Sequence, residues 1–134
     1  MAHHVFTYGS LMFAPVWQRV VAGSYRSVQA TLDGHARFAL ADDTYPGMLV
    51  RPDHAVRGVL YFDVAAADLA ALDSFEGDQY QRCQVETRTD DGLAVRAETY
   101  VFEAVHRLSD QPWEPENFAL QHFLDSYCRD KLGQ

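Results

Sequence analysis

The sequence predicts an α+β fold. Two observations carry it: about six or seven segments read as short strands separated by turn residues, and two segments follow the helical period. Strands this short, joined by tight turns, suit a small barrel. Periodicity alone does not give the closure.

The elements follow in order. Val5 to Thr7 is the first strand and runs into Tyr8-Gly9-Ser10-Leu11. Pro15 to Val21 reads as a short helix, because proline suits a first helical turn and Trp17, Val20 and Val21 supply its apolar positions. Tyr25 to Leu32 and Ala36 to Ala41 read as strands around Asp33-Gly34, a hairpin dipeptide. Asp42 to Tyr45 is a polar turn before Pro46-Gly47. Met48 to Arg51 and Ala55 to Val64 read as two more strands around Pro52-Asp53. Within the second, Gly58-Val59-Leu60-Tyr61-Phe62 is almost all apolar, as a central strand is. Ala66 to Glu76 is helical. Tyr80, Cys83, Val85 and Thr87 lie on one arm of a hairpin, and Leu93, Val95, Ala97, Thr99 and Val101 alternate on the other, around Asp91-Gly92. Pro112 to Pro115 breaks the chain. A final helix is expected from Pro115 to Gly133, with Leu120, Phe123, Leu124, Tyr127 and Cys128 on one face as core or edge cover.

Composition narrows the function classes. A chain of 134 residues, 48% of them apolar, fits one domain over residues 1–134 with a real core. The net charge of −8 argues against nucleic acid or an anionic membrane as partner, and its self-repulsion favours a monomer over a homodimer. No run of about 18 apolar residues is present, so no transmembrane helix is expected. Cys83 and Cys128 lack metal or redox spacing and, with no signal peptide, are expected as reduced thiols in a cytoplasmic protein. His35, His54, His106 and His122 lack zinc-ligand spacing, and no metal binding is read into His3-His4. There is no Walker motif, dinucleotide-type glycine loop or basic stripe.

Two segments carry the candidate chemistry. The Tyr8-Gly9-Ser10-Leu11 turn can aim several backbone N–H groups into one concavity, a nest for a carboxylate or phosphate. Its Gly9 allows a positive φ or a close approach to a ligand. An ordinary strand-to-helix turn is the plain alternative. In the second segment Leu69, Leu72 and Glu76 share one helical face, so Glu76 is carried toward the core just before Gly77, which ends the helix. Burial and the helix C-terminus would both raise its pKa toward the range useful for proton transfer. The plain alternative is an exposed helix-end glutamate.

Taken together, "YGSL" at Tyr8 to Leu11, "YPG" at Tyr45 to Gly47, "GVLY" at Gly58 to Tyr61 and "LDSFEGDQYQR" at Leu72 to Arg82 resemble the γ-glutamylcyclotransferase-like family, most closely its short AIG2-like branch. The resemblance covers roughly residues 5–104. It implies a small mixed β-barrel of about six or seven strands with flanking helices and a polar cavity at one end. It also implies an acyl-transfer enzyme that cyclises a γ-glutamyl amine or amino acid to 5-oxoproline, with a small-molecule γ-glutamyl substrate and no metal or other cofactor. Glu76 takes the family's "FEG" position and is the expected proton shuttle. Gly9, Ser10 and Leu11 would hold the substrate's negative charge through their N–H groups. Ser10 has no nucleophile-elbow context, so its hydroxyl is an added donor. Tyr8, Tyr80 and, less directly, Tyr100 would wall the cavity, with core packing as the plain alternative for each. Arg82 shares a strand face with Tyr80 and would pair with substrate or with a nearby carboxylate.

The chain lacks the longer insertions around the glutamate helix that the larger glutathione-cycle members carry. A γ-glutamyl amine, including a lysine side-chain adduct, therefore fits as well as a γ-glutamyl amino acid. Two other classes stand beside the enzyme: a non-catalytic module holding a small carboxylate in the Tyr8–Leu11 nest, and an interaction protein with an incidental cavity.

Overall fold

The structure, a computed structural model, describes residues 3–43, 45–118 and 120–132. Strand β1 (His3–Thr7) leads through a 3-10 turn (Ser10–Met12) into α1 (Ala14–Val20), with Pro15 in its first turn. Strands β2 (Ser27–Leu40) and β3 (Pro46–Val64) precede α2 (Ala66–Glu76), and β4 (Tyr80–Thr89) pairs with β5 (Ala94–Phe102). A short β6 (Leu108–Pro112) follows. Then α3 (Leu120–Phe123), a π turn (Leu124–Cys128) and α4 (Arg129–Leu132) run on without a break.

The sheet order β3-β1-β5-β4-β2, with β2 also paired to β3, closes a five-stranded barrel, and β6 is added outside on β2. All pairings are antiparallel except β1 with β5, where Val5 faces Glu98. That parallel pair makes the barrel mixed. It joins segments some ninety residues apart, which no local pattern encodes.

The alternation of strand side chains sorts the core into two sides. Phe6, Ala30, Leu32, Met48, Leu60 and Ala97 fill the barrel. Their neighbours Val5, Val59 and Tyr61 point outward and meet Val16 and Trp17 of α1, Leu69, Leu72 and Phe75 of α2, and Phe123. Tyr61 and Trp17 stack with centroids 3.7 Å apart. Both faces of Gly58–Phe62 are thus largely covered, and this is why the segment reads as continuously apolar.

The structure corrects three readings. Asp33-Gly34 and Pro52-Asp53 are not hairpin turns. The segments on both sides of Asp33-Gly34 pair with β3, and the register jumps from Asp33↔Ala55 to His35↔Val50. Gly34, at φ 77°, and residues 51–54 are therefore facing irregularities where two long strands bend together. The chain reverses instead between Leu40 and Pro46. Pro115 starts a 3-10 turn (Pro115–Asn117) and not the helix; the described helical stretch runs from Leu120, and its expected end at Gly133 lies outside the described residues. Strand β6 was not anticipated, because Ser109, Asp110 and Gln111 give it no apolar alternation. Among the described residues no helix is long and apolar enough to cross a membrane.

Candidate active site

A cavity opens where β1 leaves the barrel. The Thr7–Leu11 segment forms one wall, the end of α2 (Phe75, Glu76) another, and Tyr80 of β4 and Tyr100 of β5 a third. Tyr45 and Pro46 enter from the start of β3, and Phe123 and Tyr127 roof it. All the site residues expected from the sequence (Glu76, Tyr8, Gly9, Ser10, Leu11, Tyr80 and Tyr100) line this one cavity.

The Gly9 turn differs in detail from the expectation. Its φ is −129°, so no left-handed backbone is used. The glycine is needed for close approach: a Cβ there would lie 2.8 Å from Cγ of Pro46. The turn folds on itself through Met12 N–H to Gly9 O and Phe13 N–H to Ser10 O, at 3.0 and 3.1 Å. Among the described residues nothing accepts the N–H groups of Gly9, Ser10 and Leu11, and the Ser10 hydroxyl, on a buried residue, has no hydrogen bond. Unpaired donors gathered at a cavity wall invite an anionic ligand.

Glu76 occupies the last position of α2, and Gly77, at φ 85°, stops the helix with its N–H on the Asp73 carbonyl. Leu72 and Phe75 are buried, and they anchor the turn that carries Glu76. No described residue donates a hydrogen bond to the Glu76 carboxyl. Burial pushes its pKa up to about 8; the Lys131 ammonium opposes this and Asp73 adds to it. The dominant cause is thus desolvation, not the helix end.

The tyrosine hydroxyls are already donors within the protein. Tyr8 donates to the Tyr100 carbonyl at 2.6 Å, Tyr80 to the Pro46 carbonyl at 2.7 Å, and Tyr100 to the Asp73 carboxylate at 2.6 Å. Burial raises the pKa of all three, with the Glu76 charge adding to it. These phenols stay protonated near neutrality, so none is a base, and each presents only its oxygen lone pairs to a ligand. Arg82 pairs with Asp73 at 3.1 Å and with Glu98 at 3.0 Å, the carboxylate alternative of the two weighed for it. Burial pushes both cysteine thiols up, away from reactive thiolates. Among the described residues no three His, Cys, Asp or Glu side chains gather as metal ligands.

Sequence reasoning missed Tyr45, Pro46, Phe123 and Tyr127 as cavity walls. Tyr127 and Phe123 do pack on the body, as their helical spacing implied, but they also close the cavity. Only the "YPG" motif gave any signal for Tyr45 and Pro46.

Comparison with known proteins agrees with this architecture. The family model described as "Gamma-glutamyl cyclotransferase, AIG2-like" matches residues 5–118. The chain belongs to this family. Protein AIG2 C of Arabidopsis thaliana is 33% identical over 102 residues, which are 75% of this chain and 62% of that relative's length. The chain thus spans less than two thirds of this curated relative. A second Arabidopsis thaliana protein, known from a solution structure, is 28% identical with a TM-score of 0.74, covering 97% of this chain and 82% of its own. A solved gamma-glutamyl cyclotransferase has a TM-score of 0.69 at 16% identity over 98% of this chain and 80% of its own, which is a likeness of fold. The mixed barrel with flanking helices is therefore the fold of this family.

Proposed function

We propose that this AIG2-like chain is a γ-glutamylcyclotransferase that converts a γ-glutamyl amine or γ-glutamyl amino acid into 5-oxoproline and the free amine. One observation supports this above the others. A carboxyl to which no described residue donates and backbone N–H groups that no described residue accepts line the same cavity. A bound molecule carrying both an ammonium and a negative charge satisfies both.

The chemistry is intramolecular. The substrate's α-amino nitrogen attacks its own γ-carbonyl carbon, a five-membered lactam closes, and the C–N bond to the leaving amine breaks. The protein's main task is to hold the folded conformer. Glu76, ionised, takes one proton from the α-ammonium before attack and a second from the same nitrogen as the lactam N–H forms, handing each to the departing nitrogen, so the amine leaves as its ammonium ion and no proton is lost or gained overall. The N–H groups of Gly9, Ser10 and Leu11 hold the α-carboxylate or the oxyanion that develops at the γ-carbonyl. Tyr8, Tyr80 and Tyr100 offer oxygen lone pairs, which suit the ammonium. That no described residue donates to the Glu76 carboxyl matters, because a carboxyl already bridged to an arginine would be too weak a base.

The test is 5-oxoproline release from a panel of γ-glutamyl amino acids and γ-glutamyl amines, in phosphate- and sulfate-free buffer, with Glu76→Gln beside the wild type. Release by the wild type alone is expected. No release by either, with a small carboxylate still binding near Gly9, would replace the enzyme by a binding module.

A further inference from the structure

We propose that Arg37 is a positioning residue that strengthens the Gly9 N–H as a donor to the negative charge held in the cavity; this rests on the cyclotransferase reading above. Arg37 is not a cavity wall. It lies in a different cleft, beside His54, Trp113 and Glu114. From there one guanidinium nitrogen, Nη1, donates to the Tyr8 carbonyl at 2.7 Å and to the Arg57 carbonyl at 3.1 Å. The guanidinium also sits over the Trp113 ring, 5.1 Å from its centroid. Among the described residues no carboxylate reaches ion-pair distance of it; burial lowers its pKa, and the charges of Glu114 and Glu116 oppose that.

The link to the cavity is the Tyr8–Gly9 peptide. No cis peptide bond occurs among the described residues, and across a planar trans peptide the C=O and N–H point in opposite directions. The Tyr8 carbonyl points to Arg37, which lines the other cleft and not this cavity. The Gly9 N–H therefore points the other way, toward the cavity that Gly9 lines, and no described acceptor takes it. A charge-assisted hydrogen bond on a carbonyl polarises the whole amide and makes its N–H a better donor. Arg37 thus acts through one peptide unit on whatever anion the nest holds, and it fixes that unit's orientation as well. A neutral donor in its place would fix the orientation but supply much less polarisation.

The experiment uses the full chain, 15N-labelled, as wild type, Arg37→Gln and Arg37→Lys. Near-UV circular dichroism checks the fold, the Gly9 amide proton shift reads the polarisation, and 5-oxoproline release reads kcat/KM. In folded Arg37→Gln the Gly9 signal is expected upfield of the wild type, with kcat/KM down about 10-fold, below the loss for deleting an oxyanion donor outright. Arg37→Lys keeps the charge without the planar fork and should fall between the two in both readouts. An unmoved Gly9 signal, or an unchanged kcat/KM, in a folded Gln variant overturns the inference. Should the Gln variant not fold, wild-type values in both readouts of Arg37→Lys overturn it, and intermediate ones support it. If the wild type itself releases no 5-oxoproline from any substrate, the cyclotransferase reading fails, and the Gly9 shift alone judges Arg37.

Discussion

Asp68 and Glu76 lie about two turns apart on α2, and their surroundings treat the same functional group in opposite ways. The Asp68 carboxylate accepts from the N–H groups of Ala22 and Gly23 at 2.9 and 3.0 Å and from the Tyr25 hydroxyl at 2.6 Å. Those donors, the Ala22 N–H foremost, hold its pKa below the usual carboxylate range. Among the described residues Glu76 has no such donor, and burial pushes its pKa up to about 8. The first carboxylate is fully satisfied and ties α2 to the loop after α1. The second lines the cavity. The donors around an acid and its desolvation together set the direction of its pKa: donors win at Asp68, desolvation at Glu76.

The widest contrast should come from removing each group's chemistry. Glu76→Gln is nearly isosteric, and it should lower kcat for 5-oxoproline release by ~1000-fold while the near-UV spectrum stays that of the wild type. A Gln variant that turns over at near wild-type rate would end the assignment of Glu76. Asp68→Ala should leave KM close to wild type but lower stability by ~3 kcal/mol in urea unfolding, because it strands donors that face a buried position. A loss under about 1 kcal/mol would mean that water replaces the carboxylate there.

The pH dependence sharpens the same comparison, since the two signs differ. The folded pKa of Glu76 lies above its unfolded value, so the native state binds more protons and stability falls as pH rises from about 4.5 to about 8. The stability gap between Glu76→Gln and wild type should therefore widen over that window, by up to ~5 kcal/mol, and stay flat above it. Asp68 has its folded pKa lowered, so its contribution is present above the unfolded carboxylate value and is lost as pH falls below it. Urea midpoints from pH 3 to 9 for both variants would separate the two. In the same window kcat/KM should rise with pH through about 8, as the free enzyme's Glu76 ionises. A flat profile would contradict a base with that pKa. The smallest effect is expected from Tyr100→Phe, which removes the hydroxyl bonded to Asp73 and should cost about 1 kcal/mol of stability by thermal melting.

The sequence distinguished these regions unevenly. Glu76 was legible because Leu69 and Leu72 fix the buried face of the helix and Gly77 fixes its end. Asp68 was not, since its donors come from residues more than forty positions earlier in the chain. Arg37 was missed for the same reason: its strand position says nothing about the Tyr8 carbonyl it reaches. The β4–β5 hairpin was found from Asp91-Gly92, yet the similar Asp33-Gly34 pair misled. A turn dipeptide reverses the chain only when its own flanks pair with each other, and those of Asp33-Gly34 both pair with β3.

By itself, then, the sequence determined what depends on near neighbours: the α+β class, the end of α2 at Gly77, the strand leading into the Gly9 turn, and the motifs that resemble one family. Tertiary structure decided the barrel's closure through the parallel β1–β5 pair, the roofing of the cavity by Tyr127, and which of two acids would be satisfied. Each of these depends on partners brought together from distant parts of the chain. Their hydrogen bonds and desolvation exist only once the barrel has closed, so no local pattern of residues records them.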